Sequence, residues 1–450
     1  VGRPASTVLL AALAAALCGC AGGFHNASAR LTSYLDTGQA TLAMAEVNRL
    51  LGVASESERP ADLKNGRVLH LLTRARLLQD MGQYELSARD FQEADDNLEV
   101  LSLSGNPLDA LSKYLYSEKK TVYKATPLEK TLINTLNMAN YLARGDLSGA
   151  KVEARRLRVF EDFLKDSGKT EALNPLGVAL AGLAFEMAGE APQAMRFYAD
   201  SWERGGVPGL EETMAALHQR TGASDPRVRR WAPAPRTAGG EVVVVVLAGR
   251  APQKIPIDVP LNWPVWSLWP ETAYLSVHAR ERAALLAGLG FLKVVRMPGL
   301  HPAPSPIKGA ELSLGGRAAT LHNALDVEAG VRREHARMEG TYLMAALSRM
   351  VSRALVARFA EAAAQGDKKK NAGLVGALVE GALMMMDVPD TRSWSSLPAK
   401  VFYLRGRWPA GTHRLSVAFA GTGETVEREV TVADGQTQFV LLSNKGVSHD

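Results

Sequence analysis

A chain of 450 residues with 46% apolar and 22% charged side chains has the composition of folded domains and the length for two or three of them, which excludes a disordered or low-complexity protein. The net charge of +5 is a small excess for this length and does not point to nucleic acid. Two cysteines exclude a disulfide framework, so a large apolar core has to hold the chain together.

The first element is a short apolar run, Val8 to Leu17, with Arg3 as the only cation before it. It has the length of the hydrophobic region of a secretion signal and is too short to span a bilayer. The run closes on Leu17-Cys18-Gly19-Cys20, which resembles the lipobox of bacterial lipoproteins. That resemblance implies that residues 1–19 are a signal peptide and that Cys20 becomes the lipidated first residue, held at a membrane by more than one acyl chain. By the sorting pattern of enteric bacteria, Ala21 after Cys20 implies the outer membrane of the cell envelope, with the chain facing the periplasm. The alternative is an uncleaved apolar helix in which Cys18 and Cys20 are buried thiols.

Residues 20–220 read as helical, and four segments share one pattern. Gly38 precedes Ala40, Ala43, Val47 and Leu50; Gly82 precedes Tyr84, Ser87, Phe91 and Ala94. Gly145 precedes Leu147, Ala150, Ala154 and Leu157, and Gly189 precedes Ala191, Ala194, Tyr198 and Ser201, at the same offsets. The pattern resembles the turn and second helix of a tetratricopeptide repeat, where glycine permits the tight turn and a small residue lets two helices approach. Val68–Met81, Leu132–Ala143 and Leu176–Ala188 carry apolar residues at three- and four-residue spacings and fit the first helices. The glycines are farther apart than the ~34 residues of such repeats, which implies insertions. Stacked helix pairs leave a groove suited to a partner's peptide or helix. Tyr114, Tyr116, Tyr123 and Tyr141 line that groove or belong to the core, and the plainer alternative to repeats is a helical bundle packed on the second half.

Residues 221–240 shift to Pro, Gly and Arg and read as a semi-rigid linker. Residues 241–450 read as a mixed α/β domain ending in an antiparallel β meander, so the fold class is α plus α/β. The valine run of Glu241–Leu247 suits a strand buried on both faces. Gly249–Pro264 is expected to be extended or looped, Ala273–His278 and Phe291–Arg296 to be strands, and Pro298 to Pro306 an irregular crossing. Trp263, Trp266 and Trp269 either stack on sugar rings or pack as a loop. Asp326–Ala364 is the longest helical pattern and is expected to cross the sheet; Lys368-Lys369-Lys370 and a buried helix at Leu374–Met386 follow. In the polar run Asp390-Thr391-Arg392-Ser393-Trp394, Asp390 is expected to pair with Arg392 under Trp394 and to fix the path into the final strands. Those are Lys400–Arg405, Thr412–Phe419, Thr425–Val432 and Gln436–Leu442.

No chemistry stands out. The nine histidines are scattered, with no HExxH or other close metal-ligand pair, and neither a Gly-x-Ser-x-Gly motif nor a phosphate loop is present. The reading therefore assigns no catalytic residue, no metal and no cofactor. The lipobox, the helical segments, Gly249-Arg250-Ala251-Pro252-Gln253-Lys254 and the Asp390–Pro398 run together resemble a family of uncharacterised bacterial lipoproteins with a tetratricopeptide-like N-terminal region. The resemblance implies an envelope protein and supplies no catalytic residues. The expected function is a lipid-anchored scaffold or adaptor that binds another envelope protein through the helical groove, in cell-wall or surface-polysaccharide assembly. A periplasmic enzyme or binding protein acting on glycan, through Trp263, Trp266, Trp269 and Asp390, is the alternative.

Overall fold

A computed structural model describes residues 24–100, 123–168, 172–227, 239–260, 294–301, 305–364 and 389–444. Cys20, Tyr114, Tyr116, Trp263, Trp266, Trp269, the strand expected at Ala273–His278, Lys368 to Lys370 and the helix expected at Leu374–Met386 lie outside the described residues, as does most of the linker.

The described part of the first half is a layer of nine helices, which successive turns fold back on one another. They are α1 (Phe24–Asp36), α2 (Ala40–Leu51), α3 (Arg67–Asp80), α4 (Tyr84–Asp96), α5 (Pro127–Ala143), α6 (Leu147–Asp166), α7 (Pro175–Met187), α8 (Ala191–Glu203) and α9 (Leu210–Thr221). Two short parallel strands, β1 (Glu99–Val100) and β2 (Lys124–Ala125), flank the break between α4 and α5. Gly38, Gly82, Gly145 and Gly189 sit in the turns α1–α2, α3–α4, α5–α6 and α7–α8, with φ of 70°, 73°, 73° and 78°, a region that side chains disfavour. The four turns close the same way: the N–H after each glycine reaches back to Tyr34, Leu78, Tyr141 and Phe185 oxygens at 2.8 to 2.9 Å. Ala43, Ser87, Ala150 and Ala194 are fully buried where the paired helices meet. Closeness is strictest at Gly149, where an added Cβ would stand 2.3 Å from the Tyr141 ring.

In the last three of these pairs the first helix is the inner one. α3, α5 and α7 are buried along almost their whole length. Polar residues inside this layer are joined across helices: Gln79 Nε2 donates to Asn140 Oδ1 at 2.7 Å, Asn140 Nδ2 to Ser87 Oγ at 2.8 Å, and Asn134 Nδ2 to Glu153 Oε2 at 3.0 Å. Arg74 and Asp90, both fully buried, form a two-pronged ion pair at 2.6 and 3.0 Å between α3 and α4. Such pairs specify which helix sits beside which, because a misplaced neighbour strands a buried polar group.

The second half contains β3 (Gly240–Ala248), β4 (Lys254–Pro260), β5 (Val294–Leu300), β6 (Gly309–Leu314), β7 (Arg317–Asp326), α10 (Val327–Ala364), β8 (Lys400–Trp408), β9 (Gly411–Ala420), β10 (Thr425–Val432) and β11 (Thr437–Ser443). Seven strands form one mixed sheet in the order β10-β9-β6-β7-β8-β3-β11, antiparallel except for the parallel β3–β11 pair. The sheet curls until its two edge strands approach, with Arg428 on β10 donating to the Leu441 oxygen on β11 at 3.5 Å. The whole is therefore an α plus β fold with a nearly closed sheet.

β3 explains how the halves join. Its even residues Val242, Val244 and Val246 point into the curled sheet with Phe402, Val417 and Phe419. Its odd residues Val243, Val245 and Leu247 point out into a core shared with the helices, along with Val401, Tyr403, Phe439 and Leu441. A valine run that must be apolar on both faces follows from this position. At one edge of the shared core Arg405 donates to Tyr198 Oη and Glu186 Oε2, each at 2.9 Å, so α7 and α8 are tied to β8.

Three expectations need correction. The last four strands are present, but they are not a meander. Only β9 and β10 pair as a hairpin; the β6–β7 hairpin separates β9 from β8, and β11 pairs with β3. The cause is the open edge of β3, whose two apolar faces and free backbone are completed by β11 in parallel. Pro298 lies within β5 opposite Pro256 of β4, in a two-stranded ribbon, where a proline is tolerated because, among the described residues, each strand has a free edge. The described part of α10 packs its Met338, Tyr342, Leu343 and Leu347 on Val295 and Met297 of that ribbon, not across the seven-stranded sheet.

Candidate functional site

Two regions are the candidates for a site: the junction of the Asp390–Pro398 run with the helices, and the outer surface of the helical layer.

At the junction, the sequence Thr126-Pro127-Leu128-Glu129 starts α5 with a capping box. Thr126 Oγ1 accepts from the Glu129 N–H at 3.2 Å, and Glu129 Oε2 accepts from the Thr126 N–H at 2.9 Å. Glu129 also accepts from Tyr123 Oη at 2.7 Å and, through Oε1, from the Trp394 N–H at 3.2 Å. One carboxylate thus caps a helix and holds a loop from the other half. Asp390 and Arg392 make a two-pronged pair at 2.6 and 2.8 Å. The ring over Arg392 is Tyr123, at 5.9 Å, whereas Trp394 turns away to pack edge-on against Phe91 with its Nε1 donating to Ser396. Asp390, Arg392 and Trp394 are therefore occupied in positioning the loop.

Behind them α10 contributes Glu334, His335 and Tyr342, and β4 contributes Lys254. Glu334 Oε1 accepts from the Leu128 N–H at 3.0 Å, a further free amide of the α5 N-terminus. Burial pushes the Glu334 carboxyl up to about 7, against the pull of its Thr126 and Leu128 hydrogen bonds. Burial also drives His335 down to about 4, helped by the Lys254 charge. For Lys254 burial works against the charge, but Tyr342, Asp390 and Glu129 outweigh it and hold the ammonium above its usual range. These groups enclose a cavity of about 40 Å3, room for about one water and too little for an organic substrate. Perturbed titration alone does not make a catalytic centre, and the space argues for a polar clasp between halves. The Thr126–Glu129 capping box, which the sequence reading passed over, is the local signal for it; Lys254 stood out only as the end of the Gly249–Lys254 motif and Glu334 not at all, since their environment is created by elements far apart in the chain.

The outer surface is the reverse case. Among the described residues, the exposed large apolar side chains are Leu42 on α2, Val152, Val159 and Phe163 on α6, and Trp202 on α8. All lie on second helices of the pairs. Val159 is 72% exposed, Phe163 53% and Val152 45%. Their spacing of seven and then four residues puts them within about 40° of one another around the helix. Arg155 flanks the stripe with no carboxylate partner among the described residues, its guanidinium over the Phe185 ring at 5.6 Å. The inner face of the layer, by contrast, is covered by the chain's own strands, α5 against β11 and α7 against β7.

Among the described residues no helix is long and apolar enough to cross a membrane, and no group of three or more His, Cys, Asp or Glu is placed to hold a metal ion. In comparison with known proteins, no protein-family model, no curated protein and no solved structure matches the chain.

Proposed function

We propose that this protein is a lipid-anchored scaffold of the bacterial cell envelope, tethered through Cys20 to the outer membrane and facing the periplasm, whose tetratricopeptide-like helical layer binds another envelope protein. The sequence reading put the partner in the groove of the helical layer. The chain's own sheet lies there, so the partner is assigned instead to the outer helices. The observation that carries this assignment is the apolar stripe Val152, Val159 and Phe163 on α6. A long helix that can bury its apolar residues inward, yet sets three of them on one outward line, has a surface suited to a second protein. Arg155 at its edge, which pairs with no carboxylate among the described residues, favours a partner whose apolar contact surface is bordered by carboxylates.

The test is co-purification from detergent-solubilised membranes. An envelope protein recovered in fixed proportion with the full chain and lost with Val152→Ser, Val159→Ser and Phe163→Ser together supports the assignment. Recovery that is unchanged by the triple substitution overturns it. The anchor has a separate check: Cys20→Ser is expected to move the chain from the membrane to the soluble fraction, and persistent membrane attachment contradicts lipidation.

A further inference from the structure

A second cavity, of about 460 Å3, opens where α1, α3, the Gly249–Gln253 segment and the β9–β10 turn meet. It falls within the roughly 300–1,000 Å3 of small-molecule sites. Three charged side chains lining it carry a buried atom with no hydrogen-bond partner, Arg76 Nε, Asp80 Oδ1 and Glu424 Oε1, of which Asp80 Oδ1 is already ion-paired to Arg76. Arg76 is only 5% exposed; its Nη1 donates to Gln79 Oε1 at 2.7 Å and its Nη2 stands 2.8 Å from Asp80 Oδ1, but its buried Nε has no partner. On another wall, Glu424 accepts from Asn444 Nδ2 at 3.2 Å through Oε2, while its buried Oε1 has no partner. No cation among the described residues pairs with Glu424. The remaining cation of the cleft, Arg250, is committed to Asp36 at 2.7 Å and to the Ser395 oxygen at 3.0 Å.

The backbone is shaped to hold this arrangement. Gly249 has φ of 65°, and a Cβ there would meet Ser305 Oγ at 2.2 Å. Its N–H donates to Asn444 Oδ1 at 2.8 Å, which turns the Asn444 amide nitrogen toward Glu424. The Gly249–Lys254 motif, whose Arg250, Ala251 and Lys254 bond to the Ser393–Leu397 run, thus also sets the Glu424 wall through Gly249.

Native proteins leave few buried charged groups with unmet hydrogen bonds, so a positive donor and a negative acceptor left open in one cleft point to a ligand that answers both. We propose that the cleft binds a small zwitterion of dipeptide size, with its carboxylate on Arg76 Nε and its ammonium on Glu424 Oε1. A simple anion or cation satisfies only one of the two. A saccharide fits less well, because none of the described residues lining the cleft is a Trp, Tyr or Phe on which a sugar ring stacks.

The experiment is calorimetric titration of the full chain with alanyl-alanine in L and D forms, with N-acetyl-alanyl-alanine, alanyl-alaninamide and N-acetylglucosamine as comparisons. One form of the dipeptide is expected to bind saturably at one site, and blocking either end to weaken it at least tenfold. Glu424→Gln, which keeps the Asn444 contact, is expected to weaken it by a similar factor without lowering the melting temperature of the unliganded protein. The proposal is overturned if neither dipeptide binds, if a blocked dipeptide binds as well as the free one, or if the sugar binds more tightly. Unchanged binding by a folded Glu424→Gln protein also overturns it. If that variant does not fold, the blocked dipeptides decide alone.

Discussion

Helices α5 and α6 are neighbours of similar length with opposite relations between chemistry and position. α5 buries Thr131, Asn134, Thr135, Asn137 and Asn140, whereas α6 leaves Val152, Val159 and Phe163 in the open. The inner helix tolerates polar residues because many of them are joined to adjacent helices. On the outer helix only Phe163 of these three has a ring contact among the described residues, stacked on Phe160 with centroids 6.0 Å apart. The inner helix is thus held on all sides, whereas α6 adds one face to the core and leaves the other open, the face proposed above for recognition.

The largest expected effect lies on the inner side. Arg405→Met leaves Glu186 and Glu241 without the guanidinium that joins α7, α8 and β8 and is expected to cost about 3 kcal/mol in urea unfolding. A loss near zero would mean that helices and sheet are not bound together through this edge. Gly149→Ala, at the α5–α6 contact, places a methyl group within 2.3 Å of the Tyr141 ring. It is expected to cost about 1–3 kcal/mol by the same measurement.

The clasp between halves offers a pH test of smaller size. Glu334 releases its proton near 7 in the folded protein, above the ordinary 4.5. The folded state holds that proton more tightly, so this group lowers stability as pH rises from about 4.5 to about 7. Glu334→Gln keeps an acceptor for the Leu128 N–H and removes the charge. Melting temperatures of variant and wild type are expected to coincide near pH 4.5 and to separate as pH rises, with the variant higher above 7. His70 and His335, each held near 4 by burial, act in the opposite direction in both proteins and cancel from the comparison. The smallest effect is expected outside: Val159→Ser, at a side chain 72% exposed, changes unfolding stability by less than about 0.5 kcal/mol.

The parts of this fold that local chemistry determines were legible in the sequence. A glycine followed at fixed offsets by Ala43, Ser87, Ala150 and Ala194 marks each tight turn, because backbone conformation and helix spacing demand those residues. The valine run of β3 announces two buried faces for the same reason. The β6–β7 hairpin was missed although Gly315-Gly316 forms its turn: β7 exposes most of its residues and buries only Leu321 fully, so no alternation betrays it. Strand order was illegible because β11 finds β3 across nearly the whole second half, a choice made by an open edge and not by neighbours in sequence. The clasp was hidden similarly. Lys254 and Glu334 look like solvated charges until β4 and α10 fold over the start of α5.

The proposed recognition through the open face of α6 is tested most directly by photo-crosslinking in cells. A photoreactive residue at position 159 on α6 is compared with one at Glu429, exposed on the curled sheet. The α6 probe is expected to capture one envelope protein that the Glu429 probe does not, with the product lost when Val152 and Phe163 are changed to Ser. Equal capture from both positions, or capture at 159 that survives those substitutions, would contradict the assignment of the outer helices to recognition.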